Sequence, residues 1–189
     1  MQLFNMVELS TPVCNFGEKA HDFSLKNVDG KKWSLNDCKG EKGLLVMFLC
    51  NHCPYVQAIL EKLVVEMSVL EKKGIGCVAI NPNDYISFPE DSYENMVKIA
   101  KKFGFSFPYL IDETQEITKK YDSICTPDFF GYNSELKLQY RGRFDDRGMK
   151  AVINPNASDL FTAMFQIART GKGPEKQYSS VGCSIKWRK

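Results

Sequence analysis

The sequence predicts an α/β fold in which a central mixed β-sheet is flanked by helices. One observation is an apolar run at 44–49, followed by an amphipathic segment at about 53–72 and a second apolar run at 75–80. This order is typical of a parallel strand–helix–strand unit. The other is a pair of strand-like segments within 129–140, which predicts an antiparallel hairpin. Parallel and antiparallel neighbours together make the sheet mixed.

The N-terminal part predicts an extension followed by a β-hairpin. Residues 1–20 are mixed in character and are interpreted as the extension. Segments 22–25 and 32–35 are strand-like, and Asp29-Gly30 between them is typical of a tight turn.

The remaining elements follow from caps and short apolar runs. Asp91 with Glu94 predicts a capping box at the start of a helix. A short strand at 107–111 and a short helix at 113–121 come next, before the hairpin.

The C-terminal part predicts one more helix and then a tail. Ser158 and Asp159 can cap this helix, which stops at Gly171. The tail at about 172–189 contains Gly and Pro and is expected to pack irregularly. A length of 189 residues suits a single domain over 1–189.

Charge and hydropathy argue against two classes of partner. The net charge is +2, without a basic run, so neither nucleic acid nor a membrane surface is an expected partner. No apolar stretch approaches the roughly 20 residues that span a bilayer.

Cysteine usage favours a reducing compartment. Seven cysteines are an odd number and are scattered rather than densely spaced. The first ten residues have neither the basic region nor the apolar core of a secretory signal. We therefore expect a cytoplasmic protein, in which a Cys-x-x-Cys motif is catalytic or metal-binding rather than structural.

The motif Cys50-Asn51-His52-Cys53-Pro54 joins the central strand to its helix. A thiolate there is stabilised by unpaired backbone N–H groups and by the helix dipole. Cys50, predicted to be the more exposed thiol, is the expected nucleophile, and Cys53 resolves the mixed disulfide. His52 can favour the thiolate, and Pro54 fits the first helical turn, where an N–H is not needed.

Two other interpretations of the pair remain open. The thiols can be buried and inert. They can also hold a metal, but a tetrahedral site needs two further ligands that the local sequence does not offer, so no metal site is predicted.

Thr126-Pro127 is the second predicted element of the site. A cis proline facing the cysteines would present the backbone of Thr126 to an extended substrate. Cys125, beside it, is a candidate third redox thiol or metal ligand, although a buried apolar role is favoured. Cys183 is a candidate terminal resolving thiol or a packing residue.

These motifs resemble the thioredoxin superfamily, in its redoxin or peroxiredoxin-like branch, which includes alkyl hydroperoxide reductase and thiol-specific antioxidant proteins. The segments that carry the resemblance are residues 50–56, 81–84, 89–92, 107–110, 112–115, 126–130, 140–143 and 182–187. The resemblance implies a thioredoxin-like fold, a redox-active Cys50 and a cis Pro127.

The chain departs from the active-site patterns of both peroxiredoxins and thioredoxins. Peroxiredoxins have a Thr and a Pro before the cysteine that aligns with Cys53, whereas Cys50 and Val46 occupy those positions here. Thioredoxins have a buried acid in the strand, which 44–49 lacks. Another group must then move the proton, and Asp84 and Glu113 are candidates.

The leading hypothesis is a thiol–disulfide oxidoreductase without a cofactor. Its partners would be protein or small-molecule disulfides and an external thiol reductant. One alternative is a thiol peroxidase that reduces hydroperoxides through Cys50 and is resolved by Cys53, Cys125 or Cys183. Another is a metal-binding protein or metallochaperone, for which His21 and His52 are the only histidines.

Overall fold

Strands and helices alternate in the middle of the chain, whereas strands follow one another near its start and before the last helix. The computed structural model describes residues 8–10, 15–150 and 156–189. In chain order the strands are β1 (Glu8–Ser10), β2 (Ser24–Asn27), β3 (Lys32–Ser34), β4 (Gly43–Phe48), β5 (Ile75–Asn81), β6 (Tyr109–Ile111), β7 (Cys125–Thr126), β8 (Asp128–Asn133), β9 (Leu138–Gly142) and β10 (Val181–Ser184). The helices are α1 (Leu35–Cys38), α2 (Pro54–Lys72), α3 (Tyr93–Phe103), α4 (Glu116–Lys120) and α5 (Asp159–Thr170), with a 3₁₀ turn at Pro89–Asp91.

The main sheet has seven strands in the order β3-β2-β6-β5-β4-β8-β9. β5 pairs in parallel with both β4 and β6. β4–β8, β8–β9 and the early hairpin β2–β3 are antiparallel. This confirms the predicted central mixed sheet and places the hairpin at one of its edges.

Helices cover both faces of the sheet, and this is why every residue of β4 is buried. Leu45 and Met47 point into a core shared with α2, α3 and α5. Leu44, Val46 and Phe48 point into a second core that includes residues of α1 and α4. Such two-sided burial turns a strand into a continuous apolar run, and it holds the C-terminal end of β4 rigidly below the cysteines. Among the described residues, no helix is both long and apolar enough to cross a membrane.

The structure corrects two sequence predictions, the cap of α3 and the irregular C-terminal tail. Asp91 does not cap α3, since Ser92 is the N-cap residue and Asp91 closes the preceding 3₁₀ turn with its side chain turned inward. The tail at 172–189 is not wholly irregular, because β10 lies between β1 and β7 in a second, three-stranded sheet. Within the predicted extension at 1–20, residues 8–10 form β1, whereas 1–7 and 11–14 lie outside the described residues.

Candidate redox site

The two motif cysteines lie in the turn between β4 and α2. Cys53 is the N-cap residue of α2 in an extended conformation, with φ −67° and ψ 122°, and Pro54 occupies the first helical position. Proline suits this position because its missing N–H would have no partner inside the helix. The helix therefore begins next to a sulfur, and its free N–H groups point towards the pair.

Both sulfurs are buried in this structure. Cys50 is 2% exposed and Cys53 is 0% exposed, so the predicted exposure of Cys50 is not seen in this state. The thiol of Cys50 donates to the sulfur of Cys53. The two side chains are thus in direct contact, as reversible disulfide formation requires.

Thr126 contacts both cysteines. Its peptide bond to Pro127 is cis, as predicted. Its hydroxyl oxygen lies 3.2 Å from the Cys50 sulfur, and its carbonyl accepts a hydrogen bond from the Cys53 thiol at 3.1 Å. β10 already pairs with β7 at Thr126, so the predicted pairing with an extended substrate would compete with β10.

Cys183 is the third thiol of the site. It is 4% exposed and donates to the sulfur of Cys53. This bond, the one from Cys50 and the backbone N–H of Val56 place the pKa of Cys53 well below its ordinary value, whereas burial raises the pKa of Cys50. The Thr126 carbonyl acts in the opposite direction, because it accepts a proton that only a neutral Cys53 can give. The net effect is a lowered pKa of Cys53, since these three donors and the backbone N–H of Cys183 outweigh burial and the carbonyl acceptor.

Cys125 belongs to a different contact. Its thiol faces the carbonyl of Pro127 at 3.5 Å, and burial raises its pKa. This is the behaviour of a small buried residue, the role that the sequence favoured.

Asp91 is the functional candidate that the sequence analysis missed. It is fully buried, and its carboxylate accepts from the Asn51 N–H and from Asn83 Nδ2, each at 2.7 Å. His52 Nδ1 also lies 2.7 Å from Asp91 Oδ2, although its N–H is not aligned for a linear hydrogen bond. Asp91 thereby holds the backbone and the histidine of the cysteine turn.

The two acids named from the sequence lie elsewhere. Asp84 accepts from the backbone N–H of Ile86 and lies 3.5 Å from the Arg188 guanidinium. Glu113 is exposed. Asp91 is instead the acid that contacts the cysteine turn. Its spacing to Glu94 suggested a helix cap because aspartate is favoured in that role too.

Cys50, His52 and Asp91 form a candidate metal-ligand group. One ligand atom from each lies within 4.8 Å of the others. Sulfur, imidazole and carboxylate suit zinc. Both oxygens of Asp91 already accept hydrogen bonds, so an ion would have to displace them.

A cleft of about 500 Å³ adjoins the cysteine turn. Its walls include Tyr55 and Ile59 of α2, Pro127, and Val181 at the start of β10. Pro127 follows the residue that contacts both sulfurs, so the cleft lies next to the pair, whereas a much smaller pocket is lined by Cys50 itself.

His52 is expected to titrate above its ordinary pKa of 6.5, because the short contact with Asp91 raises its pKa more than burial lowers it. Protonated His52 therefore stabilises the folded protein below pH 6.5, and this contribution is lost as the pH rises through the higher folded-state pKa. ¹H–¹⁵N NMR of the imidazole, assigned with a His52→Gln variant, measures the midpoint. A midpoint at or below 6.5 would contradict the assignment.

Comparisons with known proteins show the family of the chain. The family model described as "AhpC/TSA family" matches residues 16–144. A crystal structure of an uncharacterized conserved protein from Geobacillus kaustophilus is 42% identical, with a TM-score of 0.91 and 98% of each chain covered.

Two curated proteins from Bacillus subtilis (strain 168) are also similar. Thioredoxin-like protein YneN is 34% identical over 99 residues, which are 51% of this chain and 54% of YneN, so the chain spans little more than half of that relative. Thiol-disulfide oxidoreductase ResA is 24% identical over 136 residues, or 72% of each chain. The fold is thioredoxin-like, as the resemblance implied. Since the family model matches more than half of the chain, the chain belongs to the AhpC/TSA family.

Proposed function

We propose that the protein is a thiol–disulfide oxidoreductase that exchanges electrons between the Cys50–Cys53 pair and a disulfide. The observation that carries the proposal is the direct contact of the two thiols beside the N-terminus of α2. The name of ResA supports the same reaction class. The substrates would be disulfides of proteins or small molecules, in a cytoplasmic setting that the scattered, odd set of cysteines favours.

The hydrogen bonds of the pair support two proton states. In one, the Cys53 thiolate accepts from Cys50 and from Cys183. In the other, neutral Cys53 donates to the Thr126 carbonyl, and a Cys50 thiolate accepts from the Thr126 hydroxyl. One proton moving between contacting sulfurs converts the first state into the second. The resting charge thus lies on Cys53, and the attacking thiolate forms on Cys50.

The exchange then follows in two steps. The Cys50 thiolate attacks a substrate disulfide, forming a mixed disulfide and releasing one substrate thiolate. Cys53 gives its proton to the released substrate thiolate, and the resulting Cys53 thiolate attacks the Cys50 sulfur, forming the Cys50–Cys53 disulfide and releasing the second substrate thiolate. An external thiol reductant returns the pair to the dithiol, and neither step needs a bound cofactor.

Access requires the site to open, because both sulfurs are buried. We propose entry from the cleft beside Pro127. His52, with 30% of its side chain exposed, borders the buried pair and can favour a thiolate by its charge.

The test is reduction of insulin disulfides by dithiothreitol with and without the protein. The proposal expects the protein to accelerate insulin precipitation in proportion to its concentration. A rate equal to that of dithiothreitol alone, with folded protein, would reject it.

Hydroperoxide reduction is a second candidate, favoured by membership of the AhpC/TSA family. Cys50 would be oxidised to a sulfenic acid, which Cys53 would resolve by forming a disulfide and releasing water. Stopped-flow reaction with hydrogen peroxide separates the candidates. A rate constant no greater than that of free cysteine would remove this one.

A further inference from the structure

Cys183 is held against the site by the second sheet. It lies on β10, opposite Thr126 of β7 and Glu8 of β1. The next residue towards the N-terminus, Gly182, packs so closely on β7 that an added Cβ would lie 2.2 Å from the Thr126 carbonyl oxygen. A side chain at position 182 would push β10 off β7, so the glycine allows Cys183 to lie beside the residue that contacts both motif cysteines.

Cys53 has two thiol neighbours, one in the cysteine turn and one on β10. Cys50 precedes it in the turn, and the thiol of Cys183 donates to its sulfur from β10. Cα atoms of α2 and β10 approach within 8 Å, and Cys183 and Cys53 lie in one buried cluster. Sulfurs already in hydrogen-bonding contact need only a small further approach to form a disulfide.

We propose that Cys53 has two disulfide partners, and that the disulfide first formed with Cys50 passes to Cys183. This rests on the proposed function, which supplies the Cys50–Cys53 disulfide. Cys183 loses its proton and attacks the Cys53 sulfur. The Cys53–Cys183 bond forms, the Cys50–Cys53 bond breaks, and Cys50 leaves as a thiolate that takes up a proton. The two-electron oxidation stays within the protein, and no further oxidant or reductant enters.

Deprotonation of Cys183 is easier once the Cys50–Cys53 disulfide has formed. In the dithiol form the hydrogen bond to Cys53 raises the pKa of Cys183 and keeps it a thiol. In the Cys50–Cys53 disulfide, Cys53 carries no charge, so that restraint is absent. Transfer would regenerate the Cys50 thiol while the oxidation is held between Cys53 and Cys183, both of which are buried. Cys50 could then attack a second substrate before the external reductant acts.

The test uses Cys50→Ser protein, in which Cys53 can pair only within the chain with another thiol. After treatment with diamide, free thiols are alkylated and digested peptides are mapped by mass spectrometry. The proposal expects Cys53 and Cys183 to lose alkylation together and their peptides to be joined. The Cys50→Ser/Cys183→Ser double variant should keep Cys53 alkylatable. Retention of both thiols in folded Cys50→Ser, under diamide that closes the wild-type pair, would overturn the proposal.

Two further arms keep the result decisive. Oxidised wild-type protein should also yield some joined Cys53 and Cys183 peptides. This measurement decides the case in which circular dichroism shows that Cys50→Ser protein does not fold. The absence of joined peptides from oxidised wild-type protein would then overturn the proposal. Cys183→Ser protein tests the proposed function separately, because it can still form the Cys50–Cys53 disulfide. Failure there would reject the dithiol exchange itself.

Discussion

Cys50→Ser protein is expected to reduce insulin at the rate of dithiothreitol alone, a loss of at least about 100-fold in the catalysed rate. A serine hydroxyl beside Thr126 does not ionise near neutral pH and cannot form a disulfide. Cys53→Ser protein should keep the attacking thiol but lose the resolving one. It is expected to accumulate a mixed disulfide with substrate, visible as a mass increase that dithiothreitol removes.

Cys77→Ser is the matched control for these variants. Cys77 is another buried thiol, but it lies within β5 and faces the Met67 sulfur at 3.8 Å. Its replacement should leave catalysed insulin reduction near the wild-type rate. Full activity in Cys50→Ser, or an equal loss in all three variants, would count against the roles assigned to the pair.

Asp91→Asn is expected to lower the free energy of unfolding by about 2–4 kcal/mol, because it leaves buried donors without an acceptor. The new amide NH₂ would face either the Asn51 N–H or Asn83 Nδ2, both of which are donors. The variant should also lower the pKa of His52, since the contact with Asp91 is the main cause of its elevation. Urea unfolding and NMR titration measure the two effects.

Glu90→Gln is the control for Asp91→Asn. Glu90 is the adjacent acid, its side chain is exposed, and its backbone carbonyl accepts from Asn51 Nδ2. A change there should leave the unfolding free energy within about 0.5 kcal/mol of wild type. Equal stability of the two variants would show that the Asp91 carboxylate does not hold the cysteine turn.

The central unit could be predicted from the sequence to within a residue. The expected strand at 44–49 is Gly43–Phe48, and the expected helix at 53–72 is Pro54–Lys72. Apolar periodicity predicts these elements well because the buried positions, on both sides of β4 and along one stripe of α2, are occupied by apolar residues. β10 escaped prediction because its four residues carry little apolar pattern and depend on partners distant in the chain.

The site was only partly predictable for a similar reason. Cys50, Cys53, Pro54 and the cis Pro127 follow from local motifs, and the structure brings them together. Asp91 reaches the turn from 40 residues away, so no spacing rule connects it with Asn51. The burial of both sulfurs also depends on the closed packing of Thr126 and β10, which local sequence does not describe.

Redox titration of Cys183→Ser protein against dithiothreitol tests the central claim most directly, because the second thiol that donates to Cys53 is then removed and Cys50 remains. Alkylation and mass spectrometry at each potential give the thiols that remain. We expect one two-electron transition in which Cys50 and Cys53 lose alkylation together and become joined. Two thiols that stay alkylatable in folded protein at the most oxidising potential would contradict the account.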